Sequence, residues 1–549
     1  MSYERQIVNS SLWAAFGDAL GFTTELGDEK TFRYRFGGQT EEWGRVTWKR
    51  KVGGKYGCQI EFPPGTYSDD TQLRLAVSRA INSDGIFQKE AFAKLELPAW
   101  RCYALGAGVG SLAAADNIVK TSVAWNSNFY SSKADYRNGG GNGAAMRIQP
   151  HIWAATNRER PHSYILDIFS DAIVTHGHAR GILGAIFHGI CLAMTLVYQK
   201  PLTCGQWHNI LPFLEDIPSL IQKNAFLSTV WLPTWEKGAP MPFAAQAGAV
   251  IEEYRGYMDE FPRHTTGSPA ERYRSFARAI GAVGGKERGS AIKTTILASA
   301  AALLFAEEDP ASCLRTVAAL FDSDTDTIAT MAGALLGATV PHEPDYPVQD
   351  REYLKKEASR LYNISQKLPA ETFAYHSMLE WRPPRSALDQ VKKYRDVYYI
   401  DGLTPLATLE GEYANASTVW QFATTSFGQT LLVKRRESVP ETESEPKCGT
   451  YRIRSKWPMP DTSVLPAPSP HAEQLPLLPK EQVGTPGRYT STTLPEDELA
   501  NIIEDIRQSR FSPKRIGEHI LAIEKKYDYE RLIDFVSLFH KAWKNQHGR

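Results

Sequence analysis

A helix that starts on adjacent carboxylates must set that end against water, cations or a metal, and this chain has two such starts. Ser68-Asp69-Asp70-Thr71 opens into a helical run from Gln72 to Ile81, and Asp324-Thr325-Asp326-Thr327 into one from Ile328 to Ala338. Helix capping accounts for either motif taken alone. Ser and Asp side chains accept the orphan backbone N–H groups, and acidic residues suit the N-terminal dipole. Capping uses a single oxygen, however, whereas these motifs concentrate carboxylates and hydroxyls. That is an oxygen-only donor set of the kind hard cations such as Mg²⁺ or Mn²⁺ take. If a fold joins the two clusters, they suit a pair of ions about 3.5–4 Å apart, the spacing that clamps an attacking and a leaving oxygen. Metal-assisted hydrolysis is the first functional expectation.

Other motifs accompany them. Trp13-Ala14-Ala15-Phe16-Gly17-Asp18-Ala19-Leu20-Gly21 precedes Glu25, and Gly141-Asn142-Gly143-Ala144-Ala145-Met146-Arg147 and Thr175-His176-Gly177-His178 follow the first acidic cluster. The second cluster runs into Ala329-Thr330-Met331-Ala332-Gly333-Ala334-Leu335-Leu336-Gly337. Alone, Gly-Asn-Gly is an ordinary turn and His176 a core or capping histidine. In this order, over residues 7 to about 340, the set resembles the ADP-ribosylglycohydrolase family, which includes the dinitrogenase reductase activating glycohydrolase. The resemblance implies an all-helical core with two Mg²⁺ ions (sometimes Mn²⁺) that releases ADP-ribose from a modified acceptor, first of all an ADP-ribosylated protein. It implies Ser68, Asp69 and Asp70 as one ligand set and Asp324, Asp326 and Thr327 as the other. Glu25, Asp69 and Asp324 take the catalytic roles, Glu25 by positioning or activating water. Gly141, Asn142, Gly143 and His176 line the ADP-ribose cleft.

The chain departs from the family in one place. Asp322-Ser323 stands where the family has Gly-Gly, which leaves room for a different backbone path and extra negative charge. It also keeps open a sensor that binds ADP-ribose without turnover. The chemistry fits on physical grounds as well. Cleavage at the anomeric carbon passes through an oxocarbenium-like state, a metal pair can orient ribose hydroxyls and acidify water, and a glycine-rich loop brings backbone N–H groups to a pyrophosphate.

At 549 residues the chain has room for more than one domain, and 62 Lys+Arg balance 62 Asp+Glu. That balance gives no support to bulk nucleic-acid or membrane-surface binding. Cys58, Cys102, Cys191, Cys204, Cys313 and Cys448 show no CxxC spacing, so neither zinc nor a disulfide framework is expected. With no apolar signal-peptide core in Met-Ser-Tyr-Glu-Arg-Gln, a reducing, cytoplasmic location is the expectation. Gly181 to Tyr198 carries no formal acid and no lysine or arginine. It reads as a buried helix rather than a membrane span.

The pattern along the chain gives a mainly all-α fold with a small strand-containing appendage and a C-terminal helical module. The catalytic core spans 1–365, and 27–66 forms a basic and aromatic insertion. There the alternation from Thr31 to Phe36 predicts hairpin strands, and the segment 31–57 is placed over the cleft. Its Arg45, Lys49, Arg50 and Lys51, among aromatics, would serve a nucleic-acid acceptor, or the segment is a lid with its own aromatic cluster. Leu73, Ala76, Val77, Ala80 and Ile81 mark a buried helix face, Ala291 to Ala306 a small-residue core helix, and Thr121 to Gly141 an active-site loop. Residues 366–436 hold short β-prone pieces, 437–493 an acidic then Pro-rich linker, and 494–549 a helical module suited to a protein partner. Its stripes are Ile502, Ile503 and Ile506; Ile516, Ile520 and Ile523; and Leu532, Ile533, Val536 and Phe539.

Overall fold

The computed structural model describes residues 1–378, 381–453, 496–509, 511–526 and Phe539. Its architecture starts from two helices whose backbones touch. Helix α1 (Tyr3–Phe22), N-capped by Ser2, is buried on nearly every side from Ser10 onward, as a helix apolar or small all round must be. Its partner, a helix over Thr325–Gly337, is buried along its whole length. Gly17 and Gly21 on the first, and Gly333 and Gly337 on the second, repeat at four residues and so each pair lies on one face. A Cβ added at Gly17 would stand 2.3 Å from the Ala329 carbonyl oxygen, and one at Gly333 2.3 Å from that of Trp13. Only glycine permits this approach. It sets the end of α1, and Glu25 just beyond it, against the start of the second helix with its acidic cluster.

The rest of the core is built around this pair. Helix α2 (Glu29–Arg35) and a hairpin of β1 (Trp48–Val52) and β2 (Cys58–Phe62) lead into α3 (Asp69–Ala80). Then come α4 (Val109–Ile118), α5 (Ile165–Thr175), α6 (Ala179–Tyr198), α7 (Ala291–Leu304), α8 (Thr325–Gly337) and α9 (Arg351–Ser365). Among the described residues α6 alone is long and apolar enough to cross a membrane, and it is a core helix, mostly buried in this fold. It packs closely on α7, where a Cβ at Gly184 would meet that of Ala291 at 2.7 Å.

The expected hairpin at Thr31 to Phe36 is a helix. Asp28 caps it, accepting from the Thr31 N–H at 2.8 Å. Phe32 and Phe36, four residues apart, share its buried face, while Tyr34 between them is 72% exposed. The hairpin lies further on, with Trp48 opposite Phe62 and Arg50 opposite Ile60. The aromatics of the insertion pack together and on Phe22 of α1: Phe32 edge-on to Phe36 and Trp43, and Trp48 stacked on Phe62 and edge-on to Phe22. Three of its cations meet carboxylates, two of them outside the insertion. Arg45 meets Asp345, Lys49 meets Glu61, and Arg50 meets Glu25. The insertion has its own aromatic core; Arg50 is mostly enclosed while Lys49 stays exposed, and none of the residues lining the cleft comes from 31–57.

Beyond α9 the chain forms an antiparallel five-stranded sheet in sequence order, β4 (Val391–Tyr394), β5 (Val397–Ile400), β6 (Thr404–Asn415), β7 (Thr418–Thr425) and β8 (Thr430–Arg436). A separate pair joins β3 (Glu371–Ala374) to β9 (Thr450–Ile453). The expected linker from 437 therefore begins too early. Glu441 accepts from the Arg395 N–H, Glu445 from the Tyr399 hydroxyl, and Tyr451 packs on Phe373. Acidic residues that read as a solvated spacer serve as edge partners of the sheet. The prolines from Pro458 to Pro486 lie outside the described residues.

Residues 464–549 form a second unit. In it α10 (Glu496–Gln508) and α11 (Pro513–Lys526) pack Ile502, Ile503, Ile516 and Ile520 around buried Ile506 and Phe511. Phe539 joins that cluster; Leu532, Ile533, Val536 and the Ile523 side chain lie outside the described residues.

Candidate active site

Both acidic clusters serve as helix starts, and the fold brings them together. Ser68 is the N-cap of α3 and Asp324 that of α8. The Thr327 hydroxyl donates to Asp70 Oδ2 at 3.4 Å, and Ser68 Oγ reaches the same oxygen at 3.3 Å. A buried carboxylate from α1 fastens the arrangement: Asp18 accepts from the Ser68 N–H at 2.9 Å and the Thr71 N–H at 2.8 Å. The Thr325 hydroxyl donates to the Gly21 carbonyl, tying α8 to the end of α1.

These groups border a cleft of about 300 Å³. Glu25, Asp69, Asp324, Asp326 and Thr327 line its acidic part, with Ser68 and Asp70 buried behind them. Gly141, Asn142, Gly143 and His176 line it too. Gly106 lies over Asp69 and Gly289 over Asp324, whereas Gly143 lies between Ser111 and His176. The cleft thus has an acidic end and an end made of glycines, an amide and an imidazole.

At the acidic end, burial and mutual repulsion dominate. Burial, then the charges of Glu25 and Asp18, push the Asp69 carboxyl well above its usual range. Burial, then Asp18 and Asp69, do the same to Asp70, and burial, then Glu25 and Asp70, to Asp326. Burial also raises Glu25, against the pull of Arg50, whose guanidinium donates to Glu25 Oε2 at 2.8 Å. Asp70 Oδ1 is sealed from solvent with no hydrogen-bond partner, a costly arrangement for an acceptor. Among the described residues no three His, Cys, Asp or Glu side chains stand close enough to hold a metal. The donor set is oxygen only, carries excess negative charge and includes an orphaned carboxylate oxygen, so it fits a hard divalent cation.

The other end is rich in donors. Helix α4 starts at Gly108 with no side-chain cap, and Gly108, Val109, Gly110 and Ser111 line the cleft. A helix start leaves its first N–H groups without intrahelical partners, and one placed at a cavity wall suits an anion. Asn142 is only 9% exposed and its Nδ2 has no partner. Arg147 holds the loop from behind, donating to the Gly143 carbonyl at 2.8 Å and to Asp171 Oδ1 and Thr175 Oγ1, each at 2.9 Å. Burial and the Arg147 charge push the His176 imidazole down to about 3, so it is neutral. Thr175 Oγ1 lies 2.8 Å from His176 Nδ1. Arg147 donates to that hydroxyl, which can turn its own proton to Nδ1; the ring N–H then stands on Nε2, beside Gly110 and Gly143.

Asp322 takes a left-handed backbone, φ +64°, which explains why a glycine suits the position. Its side chain is exposed and does not line the cleft. Of the expected active-site loop 121–141, Ala134, Gly139 and Gly141 reach the cavity. Sequence reasoning missed Asp18, Arg50 and the Gly106–Ser111 turn. The signal for the last was present: Gly-Ala-Gly-Val-Gly-Ser followed by a run of alanines is a glycine-rich helix start.

Comparison with known proteins follows the same lines. The family model described as ADP-ribosylglycohydrolase matches residues 2–370. No curated protein matches the chain. Among solved structures, one titled ADP-ribosylglycohydrolase-related protein complex aligns with 18% identity and a TM-score of 0.39, over 66% of this chain and 99% of that one. The family match spans both acidic clusters, Glu25, the Gly141–Gly143 loop and His176: the chain belongs to the ADP-ribosylglycohydrolase family, a family of glycoside hydrolases.

Proposed function

We propose that this glycohydrolase depends on a divalent cation, Mg²⁺ or Mn²⁺, and releases ADP-ribose from a modified protein side chain. The observation that carries the reading is the junction of the two motifs, Thr327 to Asp70 across 257 positions, beside a cleft whose other end is built of donors. Ser68, Asp69, Asp70, Asp324, Asp326 and Thr327 would hold the cations. When bound, they supply the positive charge that orients ribose hydroxyls and acidifies a nearby water.

The chain's own groups divide the remaining work. The uncapped N-terminus of α4 and Asn142 Nδ2 receive the diphosphate, which the acidic end repels. His176 Nε2–H donates to the substrate without adding charge. Glu25 Oε2 is engaged by Arg50, so Oε1 is the oxygen that accepts a proton from the attacking water. That water adds to the anomeric carbon as the bond to the acceptor breaks through an oxocarbenium-like state. The proton that Glu25 takes from the water is returned to the departing acceptor, and the products are ADP-ribose and an unmodified side chain. Release of ADP-ribose from a modified protein in Mg²⁺ but not in EDTA supports this; equal release in both, or none in either, overturns it.

A further inference from the structure

The family match ends at residue 370, and the five-stranded sheet beyond it lines no part of the cleft. It does meet the β1–β2 hairpin at both ends. In the hairpin turn, Gly53 (φ +91°) lies so near the Trp420 ring that a Cβ there would be 2.6 Å from it, and Asn415 Nδ2 donates to the Gly57 carbonyl at 3.3 Å. At the hairpin base, Phe422 packs edge-on against Phe62 with ring centroids 6.1 Å apart. Between these anchors β1 presents Arg50. Its guanidinium lies 4.4 Å over the Phe22 ring, donates to the Phe22 carbonyl at 2.9 Å and holds Glu25 Oε2 at 2.8 Å. The pair is mostly enclosed, at 12% and 14% exposure, and a charge-assisted contact so placed is directional.

We propose that the sheet braces the active site: through Trp420 and Phe422 it seats the hairpin, whose Arg50 fixes the Glu25 carboxylate at the cleft. Arg50 and Trp420 are positioning residues, and neither lines the cavity. The inference rests on the reading of Glu25 as the proton acceptor, and makes the region beyond the family match part of the catalytic unit.

The test uses the full chain with Trp420→Ala, Trp420→Phe and Arg50→Lys. The readouts are hydrogen exchange of amides 48–62, ADP-ribose affinity by calorimetry, and kcat and KM for ADP-ribose release. Trp420→Ala speeds hairpin exchange by about tenfold or more and lowers kcat about ten- to a hundredfold, the cost of an ångström-scale misplacement. ADP-ribose affinity and KM stay within about twofold, the pattern of a lost transition-state contact. Trp420→Phe, which keeps an aromatic face against Gly53, restores both readouts. Arg50→Lys lowers kcat with hairpin exchange unchanged, because it keeps the charge and loses the fork. If Trp420→Ala does not fold, Trp420→Phe against Trp420→Leu decides, the leucine variant taking the place of alanine. In Trp420→Ala, or in the leucine variant that replaces it, unchanged kcat with a loosened hairpin, or lowered kcat with an unaltered one, overturns the brace. Full activity in Glu25→Gln instead removes Glu25 from the chemistry, while hairpin exchange still judges the sheet's hold on the hairpin.

Discussion

Asp70→Asn separates the two opposed effects of the acidic cluster. Burial with Asp18, Asp69 and Asp324 nearby holds the Asp70 carboxyl well above its usual range, so the folded chain penalises its ionised form. The sign is that of a raised carboxyl: the protonated form's stability is present below the unfolded value of 3.8 and lost as pH rises through the folded value. Wherever Asp70 is ionised, the wild type carries that penalty. One like-charge contact costs on the order of 4 kcal/mol at ~4 Å and an effective dielectric of ~20. Thr327, Ser68 and the buried Arg74 offset part of it. We expect metal-free Asp70→Asn to gain about 1–2 kcal/mol. The unit spanning residues 1–463 unfolds with an entropy of about 1 kcal/mol/K at ~2.1 cal/mol/K per residue, so Tm rises about 1–2 °C. Mg²⁺ at about a hundred times Kd stabilises the wild type by ~2.7 kcal/mol, about 3 °C. The variant loses most of that, so the order of the two proteins reverses between EDTA and Mg²⁺. Differential scanning calorimetry in both conditions reads it. A variant less stable than wild type in EDTA, or Mg²⁺ raising both equally, refutes the reasoning.

Gly333→Ala forces a Cβ to within 2.3 Å of the Trp13 carbonyl; it should cost about 3 kcal/mol by denaturant melts and reduce activity by parting Glu25 from the second cluster. Asn142→Ala should raise KM by about tenfold with little change in kcat, since it removes a substrate hydrogen bond present before and during reaction. His176 and His188, both pushed down to about 3 by burial, stay neutral in the fold while the unfolded chain protonates below 6.5. Stability should therefore fall as pH drops from about 6.5 towards 3, and His188→Leu should flatten that slope in pH-dependent denaturant melts.

What was legible in the sequence was what neighbours in the chain carry. Asp69-Asp70 and Asp324-Thr325-Asp326 announce themselves because their oxygens are contiguous, whereas the facing of Gly17 and Gly21 on Gly333 and Gly337 emerges only in the fold. Asp18 was hidden because it caps a helix fifty positions away, a partnership no local pattern encodes. Arg50 was counted as one of several hairpin cations, and only tertiary packing singles it out for Glu25. The helix at Glu29–Arg35 was misread because a spacing of four satisfies both periods: Phe32 and Phe36 share a face in a strand and in a helix alike. Tyr34 decides between them, and its exposure shows up only in the fold. The sheet was visible as short β-prone pieces, but the ordered chain beyond it, up to the β3–β9 pair at Ile453, was masked by glutamates that act as hydrogen-bond partners instead of solvated charge.

The measurement that tests the central claim most directly is release of free ADP-ribose from ADP-ribosylated arginine, serine and nucleic-acid substrates, in Mg²⁺ and in EDTA. The Asp324→Ala, Asp326→Ala double variant runs beside the wild type. The account predicts release from a protein-linked substrate by wild type in Mg²⁺ alone, with none from the double variant. Release that persists in EDTA or in the double variant, or none from any substrate by folded, Mg²⁺-loaded protein, would contradict it.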